Sequence, residues 1–382
     1  METHFNEDVW NGEYYSGINH VWASGWCGGG QGILALYASG NEETKKRVLS
    51  TIDFMTSKGQ SESGYYYSII GNGEILDDST GVKGLGTLQL IRRSGDTLYF
   101  LLKIFDVIKP KDAWVDSAKR CLDAFVKLYK KYNQLGQYVK IATGEMIVGG
   151  TTCGATAAAA LAKGAKYFGS DEYLETAISV MEGYYRDYIS VGLSNGGPGD
   201  ILSAPDSESA FGLIEACISL FEATRDNKYL DYAKECTNIA STWVVTYKYK
   251  FPVECEMKRL DINTVGSVFA NVQNKHSAPG IATYSGDSVY KLYKYTDDKR
   301  YLELIKDIAY FIPQCVSTNE RPIYTWDEEP KKMPQGYICE RVNMSDWEFE
   351  NHIGGVFYDS CWCEDSLILS FTELICYDEM KY

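Results

Sequence analysis

A short motif recurs after tight turns along this chain, and it limits the fold more than any other feature. The motif reads DEYL at 171–174, NKYL at 227–230 and KRYL at 299–302. Each copy opens a charged amphipathic stretch and follows a small-residue apolar stretch, which predicts a helix, a turn and a second helix. Such units recur roughly every 55–75 residues, which indicates an array of helical hairpins.

The boundaries of the predicted elements follow from the turns and from helical periodicity. We expect a break at Ser94-Gly95, inside the second unit. A strand at 65–70 followed by a Gly71-Asn72-Gly73 turn predicts a small β-hairpin near 64–76. The predicted helical segments are 30–56 for the first hairpin, 77–108 and 112–132, 153–168 and 173–188, 207–223 and 229–245, 282–295 and 301–312, and a last helix at 360–377.

Five hairpins and a final helix come to roughly eleven or twelve helices, close to a closed ring of six hairpins. Small residues such as those at 157–160 lie on the first helix of a pair, and charges lie on the second, as is typical of a solvated outer ring. We therefore predict an all-α (α/α)6 toroid. We expect residues 1–382 to form one domain, with long loops at the N-terminal end of the inner helices. An open α-solenoid is the alternative.

Charge and composition exclude several classes of partner. The net charge of -15 argues against nucleic acid and anionic membranes, because both attract basic patches. No apolar stretch approaches roughly 18 residues, and the N-terminus lacks the pattern of a signal peptide. The 11 cysteines are scattered, with Cys121, Cys217, Cys236 and Cys376 on helix faces, which favours reduced cysteines in a cytoplasm. The sequence leaves the oligomeric state open, a homo-oligomer included.

Three acids cluster in the loop before the fourth inner helix, namely Asp200, Asp206 and Glu208. Acids at a helix start are ordinary caps. A glycosidase, however, needs two carboxylates in one cleft, and in a ring these loops line a single cleft. We predict Glu208 or Asp206 as the acid that protonates a glycosidic oxygen. Asp78, before the second inner helix, or an acid of the last loop would be the base or nucleophile, with capping again the alternative for Asp78.

Aromatic residues make up 14% of the chain, and their flat apolar faces with a polar edge match the surface of a sugar. For most of the tyrosines, filling gaps between helices is the alternative. The predicted stacking platforms are Trp22, Trp26, Trp347 and Trp362, and Glu348 adds an acid beside the third. These residues predict a carbohydrate as the substrate.

A polar run, NVQNKHSAPG at 271–280, precedes the fifth inner helix. Lys275, His276 and the nearby Tyr284 suit the hydroxyl or carboxylate groups of a sugar, with a structural loop histidine as the alternative for His276. Cys339, His352, Cys361 and Cys363 could form a zinc set. Two of these cysteines, however, are spaced to point to different sides of a helix, so we expect no metal and no cofactor.

The repeat pattern, the DEYL-type signatures and the acidic, aromatic loops resemble the six-hairpin glycosidases, carbohydrate-active enzymes with an (α/α)6 barrel. The resemblance covers about residues 20–378. The segments at 274–280 and 284–287 are similar to those of uncharacterised or uronic-acid-directed members. The resemblance lies in architecture and in loop composition, so it carries over no catalytic residue. WCGGGQG at 26–32 is also similar to an element of lanthionine-cyclase-like toroids, which bind zinc through Cys, Cys and His, but their Cys-His-Gly element is absent.

We therefore expect a glycoside hydrolase acting on a short oligosaccharide, uronic-acid units included. A sugar epimerase or isomerase on the same toroid is the first alternative and would use His276 and His352 instead of a carboxylate pair. A non-catalytic carbohydrate-binding toroid would place no two cleft carboxylates within roughly 10 Å of each other. A zinc-dependent lanthionine-cyclase-like protein is a minor alternative.

Overall fold

A computed structural model describes residues 21–25, 30–71, 74–76, 88–199, 202–280, 287–326, 328–345, 353–356, 361–374 and 377–380. Twelve helices lie in this part of the chain. They are α1 Gly32–Ser39, α2 Glu42–Thr56, α3 Ile91–Ile104, α4 Asp112–Tyr132, α5 Ala155–Phe168, α6 Asp171–Asp187, α7 Ser207–Thr224, α8 Lys228–Ser241, α9 Glu256–Arg259, α10 Asp287–Thr296, α11 Lys299–Phe311 and α12 Cys361–Leu374.

Six of these helices form a closed inner ring. In order, α1, α3, α5, α7, α10 and α12 each pack on the next, and α12 packs on α1. Helices α2, α4, α6, α8 and α11 each pack on the inner helix that precedes them in the chain. The predicted (α/α)6 toroid is therefore confirmed, and because the ring closes, the open solenoid is wrong. After α12 the described residues form only a one-turn 3-10 helix, Asp378–Met380.

The tyrosine of the recurring motif packs three of the outer helices against the ring. Its tyrosines, Tyr173, Tyr229 and Tyr301, are all buried near the start of an outer helix. The turns before two of these helices also supply side-chain caps, because Ser170 accepts from the Tyr173 amide and Asp298 from the Arg300 amide. The repeat therefore has a structural role, because it determines where these three outer helices start.

The inner helices α3, α5 and α7 are buried almost all round. Helix α3 runs without interruption through Ser94-Gly95, so the predicted break there is wrong. A Cβ built on Gly95 would lie 2.7 Å from the Ala157 backbone nitrogen, which shows that glycine allows α3 and α5 to approach closely. The small residues of α5, from Ala155 to Ala162, are buried for the same reason.

Short antiparallel strands lie between the hairpins. They are β1 Val21–Ala23, β2 Ile69–Gly71, β3 Glu74–Leu76, β4 Leu88–Leu90, β5 Tyr138–Lys140, β6 Glu145–Val148, β7 Val268–Phe269 and β8 Ser277–Ala278. The sheet orders are β1-β2-β3, β4-β5-β6 and β7-β8. Strands β2 and β3 pair with Ile69 opposite Leu76, which confirms the predicted β-hairpin. The strands and long loops precede inner helices, so they gather at the end of the ring where those helices begin, which we call the mouth.

A second apolar core lies beside the ring, formed by the segments before α10 and before α12. It includes Phe251, Met257, Phe311 and Ile323. Cys121, Cys217 and Cys236 are buried and free, as predicted, whereas Cys376 lies outside the described residues. None of the helices in the described part of the chain is long and apolar enough to cross a bilayer.

Candidate functional site at the mouth of the ring

Side chains from two inner helices meet across the lumen at the mouth. Arg92 lies in the first turn of α3 and Glu208 in the first turn of α7, and the two are in contact although α5 lies between their helices. Arg92 Nη1 also donates to the Gly197 carbonyl oxygen at 2.9 Å. Asp96 Oδ2 lies 3.4 Å from Arg92 Nε, one helical turn along α3. With Asp206, which precedes Glu208, these residues form what we call the mouth cluster.

Asp96 is fully buried in this cluster. Arg92 and Thr156 are its polar neighbours, yet among the described residues neither carboxylate oxygen has a partner that meets hydrogen-bond geometry. Burial raises the pKa of Asp96 to about 6, while the guanidinium of Arg92 acts in the opposite direction. Asp96 can therefore exchange a proton near neutral pH.

Asp206 caps α7. Its Oδ1 accepts from the Ser209 amide at 2.6 Å, and its Oδ2 accepts from the Gly197 amide at 3.0 Å and from Ser209 Oγ at 3.1 Å. Burial raises its pKa to about 7, and the charge of Glu208 adds to this. A Cβ on Gly197 would lie 2.6 Å from Asp206 Oδ1, so the loop needs glycine there. Asp206 thus joins the 195–205 loop to the start of α7, which is the capping arrangement.

Further contacts hold the 195–205 loop over the mouth. Gln137 Nε2 donates to the Gly196 carbonyl oxygen at 3.0 Å, and Gln137 Oε1 accepts from the Ser203 amide at 3.1 Å. Tyr138 Oη also donates to the Gly199 carbonyl oxygen. Gln137, just before β5, and Tyr138, in β5, therefore hold this loop in place. Among the mouth carboxylates, Asp96 and Asp206 are fully buried, whereas the Glu208 side chain is 12% exposed.

The segment that carries His276 lies against the same end of α7. The Ser207 amide donates to the Ala270 carbonyl oxygen at 3.0 Å, and the Ala270 amide donates to the His276 carbonyl oxygen at 2.9 Å. The sequence predicts that the loops before the inner helices meet at one end of the ring. The regions around residues 206 and 276 do meet there.

His276 is buried, and its Nδ1 lies 3.1 Å from the Asn274 carbonyl oxygen. Burial and then the charge of Arg341 lower its pKa to about 3, so the imidazole is neutral at physiological pH. Lys275, beside it, is exposed and has φ of 52°.

Several predicted site residues cannot be placed. The Trp22 backbone lies in β1 and Trp362 is in the first turn of α12, but their side chains are outside the description. The residues wholly outside it are Trp26, Asp78, Asp200, Tyr284, Trp347 and Glu348. Their predicted roles stay predictions.

Arg92 and Asp96 were not predicted as site residues. A signal was present, because an arginine and an aspartate four residues apart interrupt an apolar run, IRRSGDTLYFLL, and such a pair shares one helix face. For the proposed zinc set, no group of three or more His, Cys, Asp or Glu side chains in the described ranges is arranged to hold a metal ion. His352 and the Cys361 side chain lie outside those ranges.

A second group of ionisable side chains lies between the inner helices, near the ends of α3 and α12, the middle of α7 and the start of α10. Lys103, in the last turn of α3, contacts Glu373 on α12, and its Nζ lies 3.7 Å from Asp287 Oδ2 on α10. Lys291 Nζ lies 3.3 Å from the same oxygen. We call this group the floor cluster. Its members are Tyr99, Lys103, Glu215, Asp287, Lys291 and Glu373.

The two carboxylates at the centre of the floor cluster have opposite pKa shifts. Burial raises the pKa of Glu215 to about 8, and the charge of Asp287 adds to this. Tyr99 Oη donates to Glu215 Oε2 at 2.9 Å. For Asp287 burial acts to raise the pKa, but the ammonium groups of Lys103 and Lys291 outweigh it and hold the pKa below its usual value. Near pH 7 the cluster therefore holds a protonated Glu215 among paired charges.

No protein-family model and no curated protein sequence matches this chain. Solved structures do. A D-mannose isomerase matches with a TM-score of 0.58 at 11% identity, over 92% of this chain and 87% of its own. The cellobiose 2-epimerase from Bacillus thermoamylovorans B4167 matches with a TM-score of 0.60 at 11% identity, over 92% and 88%. A glycoside hydrolase family 76 mannosidase from Bacteroides thetaiotaomicron VPI-5482 matches with a TM-score of 0.58 at 14% identity, over 96% and 95%.

These proteins share the six-hairpin (α/α)6 architecture, so the chain has the fold of the six-hairpin glycosidase superfamily. The resemblance seen in the sequence is confirmed at the level of the fold. Hydrolases, epimerases and an isomerase all occur on it, and at these identities the likeness does not select among their activities.

Proposed function

We propose that this protein is a carbohydrate-active enzyme that hydrolyses glycosidic bonds in a short oligosaccharide, with Glu208 as a catalytic carboxylate. The observation that carries the proposal is the composition of the mouth cluster, where three carboxylates share one guanidinium within the described residues. Burial raises the pKa of two of them, Asp96 to about 6 and Asp206 to about 7, so both can exchange protons near neutral pH. Acid–base hydrolysis of a glycoside requires that property.

Glu208 has the most exposed side chain of the three carboxylates, which suits direct contact with a substrate. Because Arg92 contacts it, its ionised form is compensated, so we assign Glu208 the role of base or nucleophile in place of the acid role suggested by the sequence. The protonated acid would then come from another mouth segment, and Asp78, which the sequence suggested as the base or nucleophile, is the first candidate. We assign Asp206 a positioning role, because its oxygens are engaged by backbone amides and a hydroxyl.

The substrate class follows from the 271–280 segment. The exposed Lys275 provides a cation for the carboxylate of a uronic-acid unit. The predicted platforms Trp22, Trp26, Trp347 and Trp362 would stack on sugar rings, with Tyr284 and Glu348 contacting hydroxyls. Manno-, cello- and uronic-acid-containing oligosaccharides therefore form the test panel.

A sugar epimerase or isomerase is the second candidate, because a D-mannose isomerase and a cellobiose 2-epimerase have the same fold. His276 is the predicted base, but burial lowers the pKa of its imidazole to about 3, which makes the neutral ring a weak base and ranks this candidate below hydrolysis. Proton abstraction from a carbon next to a carbonyl group needs no glycosidic cleavage, so the two candidates give different products.

The test compares Glu208→Gln with Glu172→Gln on the same panel. Glu172 is a matched control because it occupies the second position of α6, as Glu208 does in α7, but it lies on the outer surface in contact with Lys130. We expect Glu208→Gln to lower kcat by about 10²–10⁴-fold and Glu172→Gln to leave it unchanged. Equal turnover by wild type and Glu208→Gln would exclude Glu208 from the mechanism.

The same reactions, run in D2O and followed by NMR, separate the remaining functions. New reducing ends indicate hydrolysis. Deuterium at C2 without new reducing ends, lost in His276→Gln, would indicate the isomerase or epimerase instead. Binding without turnover on the whole panel would indicate a carbohydrate-binding protein.

A further inference from the structure

A cavity of about 520 Å³ lies outside the lumen, between the last turns of the outer helices α4 and α6. Clefts of about 300–1,000 Å³ are the usual size for small-molecule sites. Four tyrosines line it, Tyr129 and Tyr132 from α4 and Tyr184 and Tyr188 from the end of α6. We call it the tyrosine cavity.

Gly183 also lines the cavity, and it sits inside helix α6, three turns from its start. A glycine in a helix interior lowers stability relative to alanine, so it usually has a packing reason. Gly164 on α5 has one, because a Cβ there would lie 2.7 Å from Leu122 Cδ1. A Cβ built on Gly183 would have Arg186 Nη2, one turn further along the same helix, at 3.9 Å, and no described atom of another element within 4 Å. Packing therefore does not explain this glycine, whereas room for a ligand does.

The lining has the chemistry of a sugar site. Tyr184 and Tyr188 meet edge to face with ring centroids 6.2 Å apart, and Tyr129, Tyr132 and Tyr188 are half-buried, which leaves part of each ring accessible. Such rings pack on the C–H patches of a sugar. The Tyr184 hydroxyl is buried against the backbone of Gly154 at the start of α5, so the ring of Tyr184 forms the wall of the cavity and its hydroxyl does not face the ligand.

Amide and charged groups complete the lining. Asn133 ends α4 in a left-handed conformation with φ of 54°, and Gln134 Oε1 accepts from the Gly150 amide at 2.7 Å. Arg186 is paired with Asp187, and Glu182, which also lines the cavity, is paired with Lys228, so the lining presents no large net charge. This mixture of aromatic faces, amides and compensated ion pairs fits a neutral saccharide better than a strongly anionic one.

The cavity is linked to the mouth through one residue. Asn195 Nδ2 donates to the Gly150 carbonyl oxygen at 3.2 Å, and Gly150 lines the cavity. The Asn195 carbonyl oxygen accepts from Ser209 Oγ at 3.0 Å, beside the Asp206 cap. The cavity and the mouth therefore lie at the same end of the ring. Gly150 of the cavity and Ser209 of the mouth both contact Asn195 in the loop between them.

We propose that the tyrosine cavity is a second carbohydrate-binding site, which holds a neutral saccharide outside the mouth. The site does not depend on the catalytic role of Glu208, because it lies on the outer helices. It would hold a saccharide chain close to the mouth while the reacting unit occupies the lumen.

The test measures binding by calorimetry on the full chain carrying Glu208→Gln, so that turnover cannot interfere. The probes are mannotetraose, cellotetraose and trigalacturonate. We expect one of the two neutral probes to bind, and Tyr132→Ala and Gly183→Met each to weaken this binding at least tenfold. Tyr247→Ala, at a tyrosine that is 57% exposed and does not line the cavity, is the control and should leave binding unchanged. Binding of neither neutral probe, or binding that both cavity variants leave intact, would overturn the proposal.

Gly183→Ala gives an independent readout that needs no ligand. Because the new methyl group enters open space and alanine is the better helix former, the melting temperature should rise by about 1–2 °C. Gly164→Ala, where the methyl group would meet Leu122, should lower it. A fall in melting temperature for Gly183→Ala would show that the space is filled in solution, and the cavity would then have no room for a sugar.

Discussion

The mouth and floor clusters place ionisable groups between inner helices of the same ring, but they balance charge differently. At the floor, Lys103 and Lys291 face Asp287 and Glu373, and Glu215 is protonated near pH 7. Two positive charges therefore meet the two negative charges of the cluster, and Lys291 Nζ also lies 3.5 Å from Glu222 Oε1, nearer the surface.

At the mouth, within the described residues, Arg92 is the one guanidinium that faces Asp96, Asp206 and Glu208. The pKa values of Asp96 and Asp206 rise, whereas the pKa of Asp287 at the floor falls. A raised pKa by itself does not mark the reactive site, because Glu215 at the floor also exchanges a proton near neutral pH. The clusters differ in the ratio of charges: one cation faces three carboxylates at the mouth, whereas two lysines face Glu215, Asp287 and Glu373 at the floor.

Removing Arg92 from the mouth cluster should have the largest effect. In Arg92→Met, Asp96 and Glu208 lose their compensation, so we expect kcat to fall at least about 100-fold and the free energy of unfolding to fall by about 3–5 kcal/mol. Steady-state kinetics and urea unfolding measure the two effects. Arg47→Met is the control, because Arg47 pairs with Glu43 on the surface, and such pairs contribute about 0–1 kcal/mol. Full activity in Arg92→Met would remove the distinction between the clusters.

The matching change at the floor should affect stability alone. Lys103→Met leaves Glu373 and Asp287 with one cation fewer, so the free energy of unfolding should fall by about 3–5 kcal/mol. The kcat of the folded protein should stay unchanged, since Lys103 lies at the opposite end of α3 from Arg92. Unfolding curves and kcat corrected for the folded fraction test this. A large loss of kcat would place the floor in the mechanism as well.

The pH dependence of stability should separate Glu215 from the paired charges around it. Its folded pKa of about 8 exceeds the ordinary value of 4.5, so the folded state binds the proton more tightly than the unfolded state. The stability this gives is complete at low pH and is lost as the pH rises toward 8, with a slope of up to about 1.4 kcal/mol per pH unit. Glu215→Gln should remove this contribution between pH 5 and 8 and leave the contributions of Asp96 and Asp206, whose pKa values are also raised. Parallel stability curves for wild type and Glu215→Gln would contradict the assignment.

The smallest effect is expected at the cap of α7. Asp206→Ala removes the acceptor for the Ser209 and Gly197 amides, which should cost about 1–2 kcal/mol, whereas Asp206→Asn keeps a capping oxygen and should cost less. Ser170→Ala, at the cap of an outer helix, gives the reference for a cap without a loop attached. If Asp206→Asn lowers kcat as much as Glu208→Gln does, Asp206 acts in catalysis and not only in positioning.

The hairpins could be predicted from the sequence because each helix has its own periodicity and its own turn. The outer helix 112–132 has the predicted bounds. The predicted break at Ser94-Gly95 was wrong because a glycine looks the same in the sequence in two different situations. It can end a helix, or it can allow a neighbouring helix to pack closely. Only the packing of α3 on α5 distinguishes the two.

The candidate site was only partly predictable for a related reason. Glu208 could be proposed because it follows a polar loop at a helix start. Arg92 looks like a charge on one helix, and its contact with Glu208 joins residues 116 positions apart in the chain. Lys103 and Glu373 are likewise 270 positions apart. Pairings of this kind depend on how the ring closes, which no local pattern encodes.

Closure of the ring by α12 against α1 also affects how the protein can fold. The hairpins between them can form from neighbouring segments as the chain is synthesised, but the seam joins the first and last inner helices and must form late. Until then the apolar faces of α1 and α12 remain uncovered, and such surfaces are prone to intermolecular association. The seam is therefore where we expect misfolding to begin, and where a chaperone or a stabilising substitution would have most influence on the yield of folded protein.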